Sequence, residues 1–311
     1  MLRRILCLVM ILGLFLSGCK DEIRTQHIEG SNCANITMGD GEFAYYNGMI
    51  YFTDYFNIFE YDTESNKLVG YNSKHSRIKS LFASEDNVYF SDSGLHYITK
   101  DGKTVNEVFE REGICAKLFV EEDTVYLLDG IGGDLISHNI KDGSETVISK
   151  FVSTYYVDDE NIYLINETPK GTKLTRYERE TAITVDVELS FSPVSVISHE
   201  DDVYLSTSET YQIIRITNNI ETALPINAYY FQIVDNKLFF LDENTFENSC
   251  YTLKMYDMTT NETVILFENV FNFCVLESRF VCAHIGTTNE RYTFYDLENR
   301  NSTVMYDKIM S

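Results

Sequence analysis

The chain has 311 residues, 14% aromatic side chains, no tryptophan and a formal net charge of −23 at pH 7. Phosphate backbones are bound through clustered Lys and Arg. The chain has no such cluster, so we exclude a nucleic-acid-binding protein. The negative charge also excludes electrostatic attraction to anionic lipid headgroups. We therefore expect a protein or glycan partner, and we expect the protein itself to be a monomer.

The first eighteen residues are typical of an export signal. Arg3 and Arg4 precede an apolar run from Ile5 to Leu16, which is shorter than the roughly 20 residues that a membrane-spanning helix needs. Leu16-Ser17-Gly18-Cys19 resembles the lipobox of bacterial lipoproteins, in which the cysteine is acylated after cleavage. An ordinary signal peptide ending in Gly-Cys is the alternative.

The resemblance to the lipobox implies three consequences for the start of the chain. Residues 1–18 would be the signal peptide, Cys19 the lipidated residue and residues 19–39 a tether. The protein would then lie on the extracytoplasmic face of a bacterial membrane, at the cell surface or in the periplasm. Its contact with the membrane would run through the N-terminal lipid only.

A short unit recurs from about residue 42 to the end of the chain. It consists of an acidic or Asn-containing turn followed by an apolar pair, and successive copies lie 35 to 42 residues apart. A fixed period in this range is typical of repeat architectures. The seven pairs are Ile50-Tyr51, Val88-Tyr89, Val125-Tyr126, Ile162-Tyr163, Val203-Tyr204, Leu238-Phe239 and, weakest, Phe280-Val281.

Each pair lies among further runs rich in Tyr, Phe, Val, Ile and Thr, which are typical of β-strands. No segment outside the signal has helical periodicity. Four short strands in roughly 40 residues are one blade of a propeller. We therefore predict an all-β fold, a seven-bladed β-propeller of four-stranded antiparallel blades over residues 40–311. Ser302–Tyr306 would supply the last strand, although Asn35–Met38 is an alternative outer strand.

Two second-strand motifs carry a family resemblance. Tyr51-Phe52-Thr53-Asp54 and Tyr89-Phe90-Ser91-Asp92 resemble the YWTD repeat of low-density-lipoprotein-receptor propellers. The chain after the signal is similar to clostridial-type lipoproteins with such a domain. The resemblance weakens along the chain, and seven copies depart from the six blades of the receptor family. It implies a propeller and an extracellular binding role, and it carries over no site residue.

The chemistry-bearing residues are scattered along the chain. The six histidines show no HExxH or paired spacing that would build a zinc site. None of them falls in a predicted first strand, which would line the channel. We therefore expect no enzymatic activity, no catalytic residue, no metal and no cofactor. Cys274 and Cys282 would point to opposite faces of a sheet if a two-residue turn joined their strands.

The connections between predicted strands suggest two unlike faces. Acidic turns at 84–87, 121–123, 158–160 and 200–202 join first to second strands. Such carboxylates could attract Ca²⁺ or a basic partner, but tight hairpins require the same residues, and we favour solvated turns. Connections between second and third strands are long at Glu167–Lys173, Glu243–Cys250 and His284–Arg291 and lie on the opposite face.

Loops on a rigid scaffold carry binding residues, and we take Phe246, His284 and Arg291 as candidate partner-binding residues. His284 itself is predicted to be a solvent-exposed loop residue. The leading hypothesis is a lipid-anchored binding module for a protein or glycan. The alternatives are a scaffold lipoprotein for envelope assembly and a propeller hydrolase or lyase with a site at the channel mouth.

Overall fold

The structure is a computed structural model that describes residues 41–72, 75, 77–100, 104–110, 116–129, 133–247, 250–286 and 289–309. The signal sequence, Cys19, the tether and Asn35–Met38 lie outside these residues, so the interpretations made of them stay predictions. Within the described part of the chain, no helix is long and apolar enough to cross a membrane.

The described residues form 27 strands in six antiparallel sheets. The first sheet contains β1 (Phe43–Tyr46), β2 (Met49–Thr53), β3 (Asn57–Asp62) and β4 (Lys67–Asn72). The second contains β5 (Ser80–Ala83), β6 (Asn87–Ser91), β7 (Gly94–Thr99) and β8 (Val105–Glu110). The third contains β9 (Ala116–Glu121), β10 (Thr124–Leu128), β11 (Leu135–Asn139) and β12 (Glu145–Ser149).

The next two sheets repeat the four-stranded meander, and the last is longer. The fourth contains β13 (Val152–Val157), β14 (Asn161–Thr168), β15 (Gly171–Glu178) and β16 (Ile183–Val187). The fifth contains β17 (Pro193–His199), β18 (Asp202–Thr207), β19 (Gln212–Thr217) and β20 (Ile220–Asn227). The sixth contains β21 (Phe231–Val234), β22 (Lys237–Glu247), β23 (Cys250–Asp257), β24 (Glu262–Leu276), β25 (Phe280–Ile285), β26 (Asn289–Asp296) and β27 (Asn301–Ile309).

The turns that the sequence predicted between first and second strands are present. Asn47, Glu122, Glu200 and Asp235 have φ between 47° and 53° in these turns. Left-handed conformations of this kind suit the right-handed twist of a tight hairpin. A second turn motif follows the third strand. In it, Tyr61 and Tyr256 donate to Asn66 and Asn261 at 2.7 Å and 2.6 Å.

The fifteen-residue strand β24 joins two halves of the sixth sheet. Its first part pairs with β23 from Glu262 to Val270, and its second part pairs with β25 from Val270 to Leu276. Register shifts occur on both sides of Val270, where the two pairings meet. One chain segment therefore serves as the outer strand of one four-stranded group and as the first strand of the next.

The expectation for Cys274 and Cys282 is wrong because the turn between their strands is longer than two residues. Leu276 pairs with Phe280, which leaves three residues in the turn and places Cys274 directly opposite Cys282. Directly opposed residues project from the same sheet face. Neither thiol is in a disulfide among the described residues, and both are buried in the core.

The core of the described residues divides into seven clusters. Six of them lie between consecutive sheets or between the two halves of the sixth sheet. The seventh packs Phe43 and Phe52 of the first sheet against Tyr292 and Phe294 of the last. The sheets therefore close into a ring, and the fold is a β-propeller. β27 pairs with β26 as the last strand, as predicted for Ser302–Tyr306.

Antiparallel order gives the ring two ends. The turn face carries the connections between first and second strands and between third and fourth strands. The loop face carries the connections between second and third strands and those between sheets. On the loop face, two of the predicted long loops are extended hairpins: Thr168 pairs with Gly171, and Glu247 with Cys250. Pairing of the backbone polar groups favours strand extension over an irregular loop.

Candidate functional site

One position of the repeat lies at the loop-face end of every second strand. It follows the last residue of each apolar pair by three residues, and we call this set the rim positions. Most are polar residues that are buried, which is costly unless each finds a partner. The rim positions are Asp54, Asp92, Asp129, Asn166, Thr207, Asp242 and His284, of which Asp54, Asp92, Asn166, Asp242 and His284 are buried.

The rim position of the second sheet is the centre of a His–Asp–His cluster. His75 Nδ1 lies 2.7 Å from Asp92 Oδ2, and His96 Nε2 lies 2.8 Å from Asp92 Oδ1. The side chain of His96 is 3% exposed and that of Asp92 7%, whereas His75 is 26% exposed. Phe90 packs against both imidazoles, with ring centroids 5.3 Å from His75 and 5.2 Å from His96.

Burial of Asp92 disfavours its ionised form, but the hydrogen bonds from His96 and His75 outweigh burial and lower the pKa of Asp92 to about 2. The carboxylate is therefore ionised at neutral pH. Asp92 and both imidazoles together form the single group of three His, Cys, Asp or Glu side chains, within the described residues, whose donor atoms could hold a metal ion.

Two other rim aspartates have a lysine as partner. Lys308 Nζ lies 3.3 Å from Asp54 Oδ2, and Lys254 forms an ion pair with Asp242. Asp54 also accepts the backbone N–H of Asn57 at 2.8 Å, which holds the turn after β2. At these positions the aspartate is neutralised by an ammonium group and has a structural role in its turn.

His284 lies at the rim position of the last strands and is buried, so the prediction of a solvent-exposed loop residue is wrong. It is in β25, and its Nδ1 lies 2.9 Å from Oε2 of Glu42, the residue before β1. Tyr55 donates to the other carboxylate oxygen of Glu42 at 2.7 Å. The imidazole stacks on Tyr292 with centroids 4.4 Å apart. Burial against Glu42 and Tyr292 sets the environment of His284.

Two buried polar atoms of this cluster have no hydrogen-bond partner among the described residues. They are His284 Nε2 and Tyr292 Oη. Burial, followed by the negative charge of Glu42, raises the pKa of Tyr292. The phenol therefore stays protonated at neutral pH. Because unpartnered buried polar groups are costly, this junction between the first and last strands is a second polar site on the loop face.

The remaining predicted site residues that the structure describes lie in strands of the sixth sheet. Arg291 is in β26, is 47% exposed and forms an ion pair with Asp307 at 2.8 Å. Phe246 lies in the extended part of β22, and Cys19 lies outside the described residues. Arg291 lies opposite Ile285, the neighbour of His284, but its exposed side chain pairs with Asp307, whereas His284 is buried against Glu42.

The turn face also has a cavity, of about 650 Å³, between the first sheet and the last strands. It is lined mostly by polar residues, including Asp62, Arg279, Asp296 and Asn299. Arg279 forms ion pairs with Asp296 at 3.0 Å and with Glu298 at 3.2 Å. Arg279 therefore offsets only part of the negative charge of Asp62, Glu64 and Asp296, and the cavity lining is net negative.

Several acidic turns of this face have basic partners in their own or a neighbouring sheet. Lys141 pairs with Asp123 at 2.6 Å, Arg179 with Glu121 and Arg215 with Asp202. Some of the carboxylates that the sequence predicted to lie in solvated turns are therefore in ion pairs. Their pairs help to hold the turns.

Sequence reasoning missed the His–Asp–His cluster because His75 lies between sheets and 17 residues from Asp92. The spacing of Asp92 and His96 was the one available signal, since four residues across a tight turn place both at the same end of neighbouring strands. Glu42 was missed for a different reason. Its partner His284 lies 242 residues away.

The sequence matches no protein-family model and no curated protein sequence, whereas the fold resembles several solved structures. The tricorn protease is similar with a TM-score of 0.62 and 11% identity over 85% of this chain and 34% of that chain. TolB from Acinetobacter baumannii has a TM-score of 0.55 and 8% identity over 85% of this chain and 76% of that chain. A puromycin hydrolase has a TM-score of 0.60 and 11% identity over 92% of this chain and 55% of that chain.

These similarities confirm the β-propeller prediction and correct one exclusion. It was wrong to exclude enzymatic activity from the sequence alone, because propellers similar to this one belong to a protease and a hydrolase. The chain spans about a third of the tricorn chain and about half of the hydrolase chain. At such low identity the likeness shows the fold and assigns no activity.

Proposed function

We propose that the chain is a lipid-anchored, extracytoplasmic binding module, a seven-bladed propeller that recognises a protein or glycan partner on its loop face. The two pairing partners of β24 support the blade count, because each half of the sixth sheet then has four strands. The seven core clusters among the described residues support it as well, since a closed ring has as many junctions as blades. The resemblance of the segment ending at Cys19 to a lipobox supports the extracytoplasmic, lipid-anchored location.

The loop-face hairpins carry the proposal of a binding face. β14 and β15 have eight residues each and β22 has eleven, whereas β2, β6 and β10 have five each. Each additional strand residue adds about 3.3 Å. The hairpins of the fourth and sixth sheets therefore extend beyond those of the first three sheets by roughly 10 Å, since β23 has eight residues and β22 bulges between Asp242 and Glu247. Standard interfaces bury about 800 Å² on each partner, and projecting hairpins supply such area more readily than tight turns.

Phe246 and Arg291 are proposed anchors on this face because aromatic and Arg side chains tend to dominate binding energy. Phe246 lies on the extended β22, and Arg291 is exposed near the loop-face end of β26. The surface ion pair of Arg291 with Asp307 costs little to break, because exposed pairs contribute at most about 1 kcal/mol. His284 is buried and supports the face from beneath.

A pull-down from solubilised membranes tests the proposal. The lipidated wild-type protein, a Phe246→Ala/Arg291→Ala variant and a turn-face Glu85→Gln/Asp86→Asn variant are used as baits. We expect the loop-face variant to lose the partner and the turn-face variant to keep it with an altered salt dependence. Loss of the partner by the turn-face variant alone would show that the partner binds the turn face, which would contradict the proposal. Capture of envelope-assembly machinery by the wild type would favour the scaffold alternative.

A further inference from the structure

The second sheet departs from the pattern of the other rim aspartates. Asp54 and Asp242 pair with the ammonium groups of Lys308 and Lys254, whereas Asp92 lies between two imidazoles. An ammonium group neutralises a carboxylate but has no lone pair to donate. An imidazole nitrogen can donate a lone pair to a metal ion. Because histidines stand where the other two sheets have a lysine, this rim position offers lone pairs to a metal ion.

We propose that His75 Nδ1, a carboxylate oxygen of Asp92 and His96 Nε2 bind one divalent transition-metal ion of the Zn²⁺ or Co²⁺ class. Imidazole nitrogens combined with a carboxylate suit such borderline ions. Ca²⁺ and Mg²⁺ prefer sets of oxygen ligands. The proposal is independent of the partner proposed for the loop face.

The distances allow coordination after a small adjustment. All three donor atoms lie within 4.8 Å of one another. Bonds of about 2.0–2.2 Å in a tetrahedral arrangement place donors roughly 3.3 Å apart. The two nitrogen–oxygen distances are 2.7 Å from His75 to Oδ2 and 2.8 Å from His96 to Oδ1. The imidazole on the oxygen that binds the ion has to move about half an ångström away from it, and the other imidazole has to turn from its own oxygen toward the ion. His75 can move because it is partly exposed and lies in the connection between sheets.

Metal binding replaces the two hydrogen bonds between Asp92 and the imidazoles, and the two protons of those bonds have to go elsewhere. The ring nitrogens that face the ionised Asp92 carry the bridging protons in the metal-free network. On coordination, each of these protons moves to the other nitrogen of its ring or is released to solvent. The carboxylate offsets one of the two metal charges, and the chain, with a net charge of −23, attracts cations from solution.

The burial pattern leaves an approach to the metal. Asp92 and His96 are nearly inaccessible and Phe90 packs against the rings, while His75 is 26% exposed. Three protein ligands leave one position of a tetrahedral ion for water or for a donor atom of another molecule. Because the cluster lies on the loop face, that position opens toward the face that carries the projecting hairpins.

Titration of the lipidated protein in detergent, produced without a polyhistidine tag and freed of metal by a chelator, tests the site. ZnCl₂ is titrated calorimetrically, and CoCl₂ is followed by visible absorption. We expect one equivalent of each ion to bind, and Co²⁺ to show d–d bands without a thiolate charge-transfer band. His75→Ala should weaken Zn²⁺ binding more than tenfold, since even outer-shell partners of a metal site cost about tenfold.

Two comparisons keep the result decisive. His75→Ala removes a partly exposed side chain, so the variant should fold, and circular dichroism can verify this. It therefore tests the site even where Asp92→Asn or His96→Gln fails to fold. Glu145→Ala is the matched control, because Glu145 pairs with a single histidine, His138, at 3.1 Å. The control should keep wild-type Zn²⁺ affinity. Absence of stoichiometric binding, or equal affinity in folded His75→Ala and wild type, would overturn the proposal.

Discussion

His284 Nδ1 lies 2.9 Å from Glu42 Oε2, and 242 residues of chain separate the two. Both side chains are buried, and the contact joins the residue before β1 to the last strands. It lies beside Tyr292, which stacks on Phe52 of the first sheet with centroids 4.8 Å apart. A polar contact thus accompanies the apolar cluster that closes the ring.

Removal of the Glu42 carboxylate should weaken ring closure. Glu42→Ala leaves the donors of His284 and Tyr55 without their acceptor, and an unsatisfied buried donor costs about 1–3 kcal/mol. We expect the free energy of unfolding to fall by about 3 kcal/mol in urea titrations. The matched variant Glu145→Ala affects a carboxylate that is 38% exposed and should cost less than about 1 kcal/mol. Equal losses in both variants would contradict this role of Glu42.

Gly94 lies where β7 begins, and a side chain there would collide with the neighbouring strand. A Cβ added to Gly94 would overlap the backbone oxygen of Phe109 and lie 3.1 Å from Glu110 Cα. Overpacking of this kind typically costs about 1–3 kcal/mol, so Gly94→Ala should lower the midpoint of thermal unfolding. Gly143→Asn is the control, because Gly143 has φ of 71° and open space around it. A Gly94→Ala variant as stable as the control would refute the expected clash.

Lys100 should give the protein a pH-dependent stability in alkaline solution. Burial lowers the pKa of Lys100 to about 8, against the opposing effect of Glu60, Asp86 and Glu85. Its ammonium nitrogen lies 4.1 Å from the ring centroid of Tyr46. Between pH 8 and the ordinary value of 10.5, the unfolded chain binds the proton that the folded chain has released, so stability rises with pH.

The comparison with Lys100→Met isolates this effect from the titration of the tyrosines. The free energy of unfolding of the wild type minus that of the variant should increase from pH 8 to 10.5. Urea titrations at several pH values measure it. Parallel curves for the two proteins over this range would show that Lys100 titrates normally.

Cys19→Ala should abolish acylation and release or mislocalise the protein. The resemblance of this segment to a lipobox makes the thiol of Cys19 the expected acceptor. Metabolic labelling with a palmitate analogue, followed by fractionation of membranes, measures the result. Cys33→Ala is the control and should keep the label. Label retained by the Cys19→Ala protein would contradict the lipoprotein assignment.

The sequence predicted the local elements of the ring because their causes are local. Apolar pairs such as Val88-Tyr89 mark second strands, and Asn, Asp and Glu in the preceding turns adopt the left-handed conformations that tight hairpins need. Strand alternation and turn chemistry act over a few residues. The period, the four-stranded meanders and the β-propeller could therefore be predicted from the order of residues alone.

Register in the last strands could not be predicted from the same signals. Glu277 and Ser278 both adopt positive φ, 48° and 53°, in a three-residue turn. Neither Glu nor Ser is a residue type that indicates a positive φ. The additional turn residue moved Cys282 from the face opposite Cys274 to the same face, since a shift of one residue turns every side chain of a strand over.

By itself, the sequence determined the repeat, its strand content and the polar residue at each rim position. Only the tertiary structure supplied the partners of those residues. His75 reaches Asp92 from the connection between two sheets, and Glu42 reaches His284 through closure of the ring. Both contacts follow from how neighbouring sheets pack around the axis, and periodicity within one sheet carries no information about that packing.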